Sequence, residues 1–347
     1  MSRPAYFKKN LVLKKGPNRG KKSLVRELQR DLRRLGYLAR GIDGRFGNGT
    51  ARAVKALQHD LLHNHGTSTR NNGPAPIAVA DYNKGRVVAV TGELDYGLAG
   101  CLKDLLEEDK FPKLPRAENP REENRKIRQL MSSLTSKTVP VPFVLAILRQ
   151  ESGLRHFNEP REGDDDTYVT LGLDTNAAEK YIVTSRGYGA GQYTLFHHPP
   201  SGEEMAGFIL DWRKNLDRAI RELRDKFDHF VNGPTRGTQA DDRLAEQGDG
   251  PLNPCKYEPE DIRYLRDCRH CALEAGTREI EEGKTRLYPG SAHVYTRTRY
   301  YRTANYSKVP VRKRFECDWP YAARRYNGSG INSYHYQARI LKNLLKI

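Results

Sequence analysis

Leu24, Leu28, Leu32 and Leu35 recur every three or four residues, which predicts an amphipathic helix that Gly36 ends. GIDGRFGNGT at 41–50 reads as a glycine-rich turn centred on Asp43 and Gly44. Thr50 is placed to cap a second helix, whose buried face is Val54, Leu57 and Leu61. The polar stretch HNHGTSTRNNGPAPIAV at 63–79 predicts a surface loop. EEDKFPKLPRAENPREEN at 107–124, rich in Pro and charge, predicts a linker and a domain boundary. VPVPFVLAILRQESGL at 139–154 predicts a buried helix with Pro142 in its first turn and Gly153 past its end. After Ser201, which forms a capping-box pattern with Glu204, the apolar stripe Phe208, Ile209, Trp212, Leu216, Ile220, Leu223, Phe227 and Phe230 predicts one long helix. A last amphipathic helix follows the glycine turn after Asn327. The chain is therefore expected to be mainly α.

Charge changes the picture at the N-terminus. The protein has 347 residues and a net charge of +17, and residues 1–60 hold 16 Lys and Arg against 4 Asp and Glu. Residues 1–22 read as a flexible basic arm. Such a surface favours polyanions: nucleic acid, anionic membrane or anionic cell wall. The longest strongly apolar run, Phe143 to Leu148, is too short to span a bilayer. The basic N-terminus has no apolar core of signal-peptide length, so delivery outside the cytoplasm is expected to need another system.

The chemistry centres on Glu151. It shares a helical face with Val144, Ile147 and Leu148, at the carbonyl end of its helix. Burial and the negative end of the helix dipole both disfavour the charged carboxylate. A carboxylic acid that stays protonated near neutral pH suits protonation of a glycosidic oxygen. The alternative on spacing alone is a frayed helix end facing water. SRGYGAGQYT at 185–194 surrounds Gln192 with small residues, so backbone can approach a ligand closely.

Two resemblances give these patterns a context. LQRDLRRLGYL, GIDGRFGNGT and ARAVKALQ resemble the peptidoglycan-binding domain found beside cell-wall enzymes, and VTGELDYGLAGCL at 90–102 resembles its last repeat element. That resemblance implies a small three-helix domain over 23–108, with Tyr37, Asp43 and Phe46 as wall-binding residues. Further on, Glu151-Ser152, the glycine motif with Gln192, the helical stretch after Ser201 and Tyr326-Asn327 resemble, in that order, the lytic transglycosylase and goose-type lysozyme superfamily. The resemblance implies a lysozyme-like α-helical catalytic domain over 125–347, behind a linker at 109–124. It implies Glu151 as general acid/base. Ser152, Gln192, Tyr193, Tyr326 and Asn327 would bind substrate, with the Tyr326 hydroxyl near the catalytic carboxylate. Ala190 and Gly191 depart from the superfamily's usual residues before the glutamine. The implied reaction cleaves the MurNAc–GlcNAc β-1,4 bond with a 1,6-anhydro product and no catalytic cofactor. The alternatives are a muramidase that uses water and a non-catalytic wall-binding protein.

Asp164, Asp165, Asp166 and Asp174 matter to the first alternative, because a second carboxylate across the cleft would allow direct hydrolysis. The plain reading of the DDD run is a solvated loop. Residues 233–317 form an insert that breaks the superfamily pattern. Cys255, Cys268, Cys271 and Cys317 there leave a structural zinc, disulfides and unlinked thiols all open. Tyr288, Tyr295, Tyr300, Tyr301 and Tyr306 among Arg297, Arg299 and Arg302 suit sugar rings, single-stranded nucleic acid or an exposed strand pair. The expected partner is bacterial peptidoglycan, met in the periplasm after phage lysis or through a secretion machine. Nucleic acid is the remote alternative, no membrane span is expected, and a monomer is favoured.

Overall fold

A computed structural model describes residues 3–68, 70, 73–132, 139–229, 283–284, 294, 319–328 and 331–347. Among them are nine helices and three short strands, so the protein is mainly α. In chain order the helices are α1 (Lys22–Arg34), α2 (Asn48–His63), α3 (Tyr96–Glu107), α4 (Pro120–Ser132), α5 (Val141–Ser152), the single turn α6 (Gly202–Glu204), α7 (Trp212–Phe227), α8 (Trp319–Tyr326) and α9 (Ile331–Leu344). Strands β1 (Leu171–Thr175), β2 (Val183–Tyr188) and β3 (Tyr193–Leu195) lie between α5 and α6 and form one antiparallel sheet in that order. The chain divides into two compact units, one of residues 1–127 with 155–216, the other of residues 128–154 with 217–347.

The first unit begins with the leucine stripe. Val25, Leu28 and Leu32 of α1 pack against Val54, Leu57 and Leu61 of α2 and Leu98, Leu102 and Leu105 of α3. Gly36, at φ 81°, ends α1 and lets Tyr37 N–H return to the Leu32 carbonyl. Two glutamines then close two turns in the same way. The Gln29 amide donates to Asp43 Oδ1, the Arg45 carbonyl and Thr50 Oγ1, and its oxygen accepts from Gly44 N–H at 2.7 Å. The Gln58 amide donates to Thr91 Oγ1 and the Glu93 carbonyl, and its oxygen accepts from Gly92 N–H at 2.8 Å. This repetition explains the two Leu-Gln pairs: each glutamine satisfies buried backbone groups that the turn leaves open.

Two expectations are corrected here. Thr50 does not cap α2, which starts two residues earlier behind Gly47 and has no side-chain cap. Residues 3–22 are not the free arm expected of 1–22. Tyr6 and Leu13 are buried, the Tyr6 hydroxyl donates to Asp31 Oδ2 at 2.7 Å, and Leu13 pairs with Leu94. Two apolar side chains spaced too irregularly to show a period anchor an otherwise basic segment. Within the 109–124 linker Phe111, Leu114 and Ala117 are buried.

The acidic run is likewise not a solvated loop. Arg33 is fully buried and meets Asp166, itself 2% exposed, at 3.1 Å. Asp166 also accepts from Asn158 Nδ2 and from the N–H groups of Gly41 and Tyr168. Asp164 accepts from Ile42 N–H at 2.7 Å, and Asp165 pairs with Arg26 and Arg30 at the surface. The three aspartates thus fasten α1 and the 41–44 turn to the layer that carries the sheet. A buried cation and anion each need the other, because either alone would pay its full desolvation. Around them Ile42, Leu114, Phe157, Tyr168, Val169, Tyr188, Leu195 and Ile209 form a second core.

In the second unit α5 packs against α9 and α8. Phe143, Val144, Ile147 and Leu148 of α5 and Tyr336, Ile340 and Leu344 of α9 are buried. Trp319 of α8 stacks on Phe227 at 4.0 Å.

Candidate active site and wall-binding surface

Helix α5 ends as its sequence predicts. Pro140 precedes it, Pro142 sits in its first turn, and Gly153 takes the left-handed conformation at φ 67°. Gly153 N–H and Leu154 N–H return to the Arg149 and Leu148 carbonyls. Glu151 is therefore held in the last turn and is half-buried. Its Oε1 accepts a hydrogen bond from the Tyr336 hydroxyl at 2.6 Å. Tyr336 is 5% exposed, and the α9 that carries it is tied to α5 by Asn343 Nδ2 on the Ala146 carbonyl. Burial first, and the Glu151 charge second, push the Tyr336 pKa well up, so the phenol remains a proton donor through neutral pH.

Tyr326 closes the same group. Its pKa is also pushed well up, by burial and then by the negative charges of Glu151 and Glu222. Asn327, the next residue, is exposed. Ser152 is buried and its hydroxyl donates to the Leu148 carbonyl at 3.1 Å, a bond back to its own helix. Glu151, Ser152, Tyr326 and Asn327 thus belong to one unit, and Gln192 and Tyr193 to the other. Sequence reasoning named Tyr326 as the tyrosine at the carboxylate and missed Tyr336. The available signal was positional: Tyr336 shares the α9 stripe with Ile340 and Leu344, so it had to face inward.

The glycine loop is built on polar side chains. Gly189 stands at φ 72°, where an added Cβ would come within 2.5 Å of the His156 ring and 2.8 Å of Asn215. His156 Nδ1 accepts from Ala190 N–H and Nε2 donates to the Ile209 carbonyl at 2.8 Å. Both nitrogens are used by the neutral ring, and burial lowers the His156 pKa to about 4. Asn215 accepts from Gly191 N–H at 2.7 Å and donates to the Tyr188 and Phe208 carbonyls. Gln192 then takes φ 52°, an uncommon value for a residue with a Cβ. Its amide donates to the Gly189 carbonyl at 2.8 Å, and its Oε1 lies over Gly172 and Gly187, where any side chain would collide with it. Tyr193 is half-buried and stacks on Phe208 at 4.6 Å.

The long helix expected after Ser201 is corrected. The capping box forms, with Glu204 N–H on Ser201 Oγ and Glu204 Oε2 on Ser201 N–H. A π-helical stretch, Met205–Leu210, follows, and Asp211 breaks the helix before α7. That break is what frees the Phe208 carbonyl for Asn215 and the Ile209 carbonyl for His156.

Residues 21–61 match the family described as "Putative peptidoglycan binding domain". This part of the chain is similar to peptidoglycan-binding domains. No curated protein and no solved structure matches the chain. Within the domain Tyr37 and Phe46 are 1% and 3% exposed, which corrects their expected role as wall contacts. The Tyr37 hydroxyl donates to Asp60 at 3.0 Å, and Phe46 lies in the first core. Asp43 is half-buried and spends Oδ1 on Gln29 and Arg45 N–H. These motif residues recur in the pattern because they build the turn and the core. The open surface of the domain is basic. Lys14, Lys15, Arg52, Lys55 and Lys180 line a groove of about 600 Å³ beside the Thr91–Glu93 turn.

No helix among the described residues is long and apolar enough to cross a membrane. Among them no group of three or more His, Cys, Asp or Glu could hold a metal ion. Cys255, Cys268, Cys271 and Cys317, and the tyrosines and arginines of 288–306, lie outside the described residues.

Proposed function

We propose that this protein associates with the bacterial cell wall through its peptidoglycan-binding domain and cleaves the glycan strands there as a lytic transglycosylase. The observation that carries the reading is the hydrogen bond from the buried Tyr336 hydroxyl to Glu151, at the end of a helix whose other face is core. A half-buried carboxyl whose orientation is fixed by a hydrogen bond is suited to proton transfer at a bound sugar.

Glu151 protonates the glycosidic oxygen between MurNAc and GlcNAc, and the bond to C1 breaks. The substrate's own N-acetyl oxygen attacks C1 and stabilises the positive charge. Glu151, now a carboxylate, accepts the proton of the C6 hydroxyl as that oxygen attacks C1, displaces the N-acetyl oxygen and closes the 1,6-anhydro ring. The sequence needs one carboxyl and no added water. Tyr336 holds Oε1 through both halves, and Tyr326 supplies a second hydroxyl beside the site. Asp164, Asp165, Asp166 and Asp174 each have partners elsewhere in their own unit.

The test is mass spectrometry of muropeptides after digestion of purified sacculi. Anhydro ends support the reading. Reducing ends replace it with a muramidase, and sacculi that are bound but release nothing replace it with a wall-binding protein.

A further inference from the structure

The basic groove borders the matched segment, which supplies Arg52 and Lys55, and its walls explain its shape. Arg52 and Lys55 project from the first half of α2, Lys14 and Lys15 come from the N-terminal segment, and Lys180 comes from the turn before β2. Gly92, at φ 79°, forms part of the floor; an added Cβ would lie 2.8 Å from Lys55 Cε, so the lysine stem lies flat across the glycine. Glu93 is the one acidic side chain lining the groove, and it faces Lys14 at 3.8 Å. Lys55 Nζ also stands 5.7 Å from the Tyr181 ring. Lys14, Lys15, Arg52 and Lys55 around the one carboxylate leave a positive excess in a concave site of about 600 Å³. That size holds several residues of a peptide.

The excess positive charge needs an anion. In peptidoglycan the N-acetylated glycan is neutral, because each lactyl carboxyl is spent in the amide that starts a stem peptide. The negative charges of the polymer are the stem carboxylates. We infer that this groove binds the peptide stems of peptidoglycan through their carboxylates, with Arg52 and Lys55 as the main contacts. The inference rests on the wall-binding reading and adds to it the part of the polymer that is held. An arginine fork on a carboxylate gives direction as well as attraction, and the lysines add charge that salt screens.

The experiment uses the full chain and two labelled probes, a stem tetrapeptide with free carboxylates and the same peptide with every carboxyl amidated. Binding is followed by fluorescence anisotropy at low salt. The free peptide is expected to bind at least tenfold more tightly than the amidated one. Arg52→Glu combined with Lys55→Glu is expected to weaken it at least tenfold while Tm stays within a few degrees. Arg52→Gln combined with Lys55→Gln serves if the charge reversal unfolds the domain. Equal binding of the two probes, or a groove variant that binds as the wild type does, overturns the inference. So does a polyphosphate of equal charge that displaces the peptide at lower concentration than free peptide does. Sedimentation with purified sacculi separates the two readings: a wild type that fails to co-sediment overturns wall association itself, whereas equal co-sedimentation of wild type and groove variant overturns the groove alone.

Discussion

The Tyr336 hydroxyl donates to Glu151 Oε1 at 2.6 Å and thereby fixes the orientation of a carboxyl in the last turn of α5 from the buried face of α9. Tyr336→Phe keeps the ring and removes that bond. On soluble glycan strands kcat is expected to fall about tenfold with KM unchanged, since a misaimed acid affects the proton-transfer step rather than binding. A normal kcat would mean that the bond serves packing only.

One three-residue run separates buried from exposed charge. Asp166→Ala leaves Arg33 buried without its carboxylate, and urea unfolding is expected to show a loss of about 3 kcal/mol. Asp165→Ala removes only surface pairs with Arg26 and Arg30 and is expected to cost under about 1 kcal/mol. Equal losses would contradict this assignment of the run.

Gly172→Ala would bring a methyl group to 2.4 Å from Gln192 Oε1 and push that side chain off its seat. Gly189→Ala meets the His156 ring and Asn215 at a backbone angle reserved for glycine, and is expected to cost about 2 kcal/mol or more. Gly172→Ala is expected to give a smaller fall in Tm, because only the far end of one side chain must move. A loss from Gly172→Ala as large as that from Gly189→Ala would contradict this reading of the loop.

Two buried groups titrate with opposite signs in one pH window. His156 has its pKa lowered to about 4, by burial first. The neutral ring favours the fold above the unfolded value near 6.5, and that stability is lost as pH falls from there toward 4. Asp31 has its pKa raised to about 6, by burial first. The neutral acid favours the fold below about 4, and that contribution is lost as pH rises toward 6. Thermal melts between pH 4 and 6.5 should therefore show His156→Asn losing the acid-side decline and Asp31→Asn gaining slope in the opposite sense. Unchanged slopes in both variants would contradict the burial of these groups.

Much of this was readable where local pattern and tertiary role agree. The stripes of α1 and α2, the glycine after α5 and the Ser201–Glu204 box follow from spacing alone. The rest depends on partners far along the chain. Asp166 reads as solvent-facing until Arg33, 133 residues earlier, is placed against it. Strands β1 to β3 were missed because LGLDT and VTSRGY show little alternation and pair across a long turn. Tyr37 and Phe46 misled because a motif records what a domain must conserve to fold as well as what it must bind. Tyr336 carried no motif at all, and only its place on the α9 stripe pointed to Glu151.

The most direct measurement compares wild type with Glu151→Gln on purified sacculi, reading released muropeptides and co-sedimentation together. The wild type should release muropeptides with anhydro ends, and Glu151→Gln should release none while sedimenting with the sacculi as before. Release by Glu151→Gln at the wild-type rate, or no release by the wild type, would contradict Glu151 as the acid that cuts the strand.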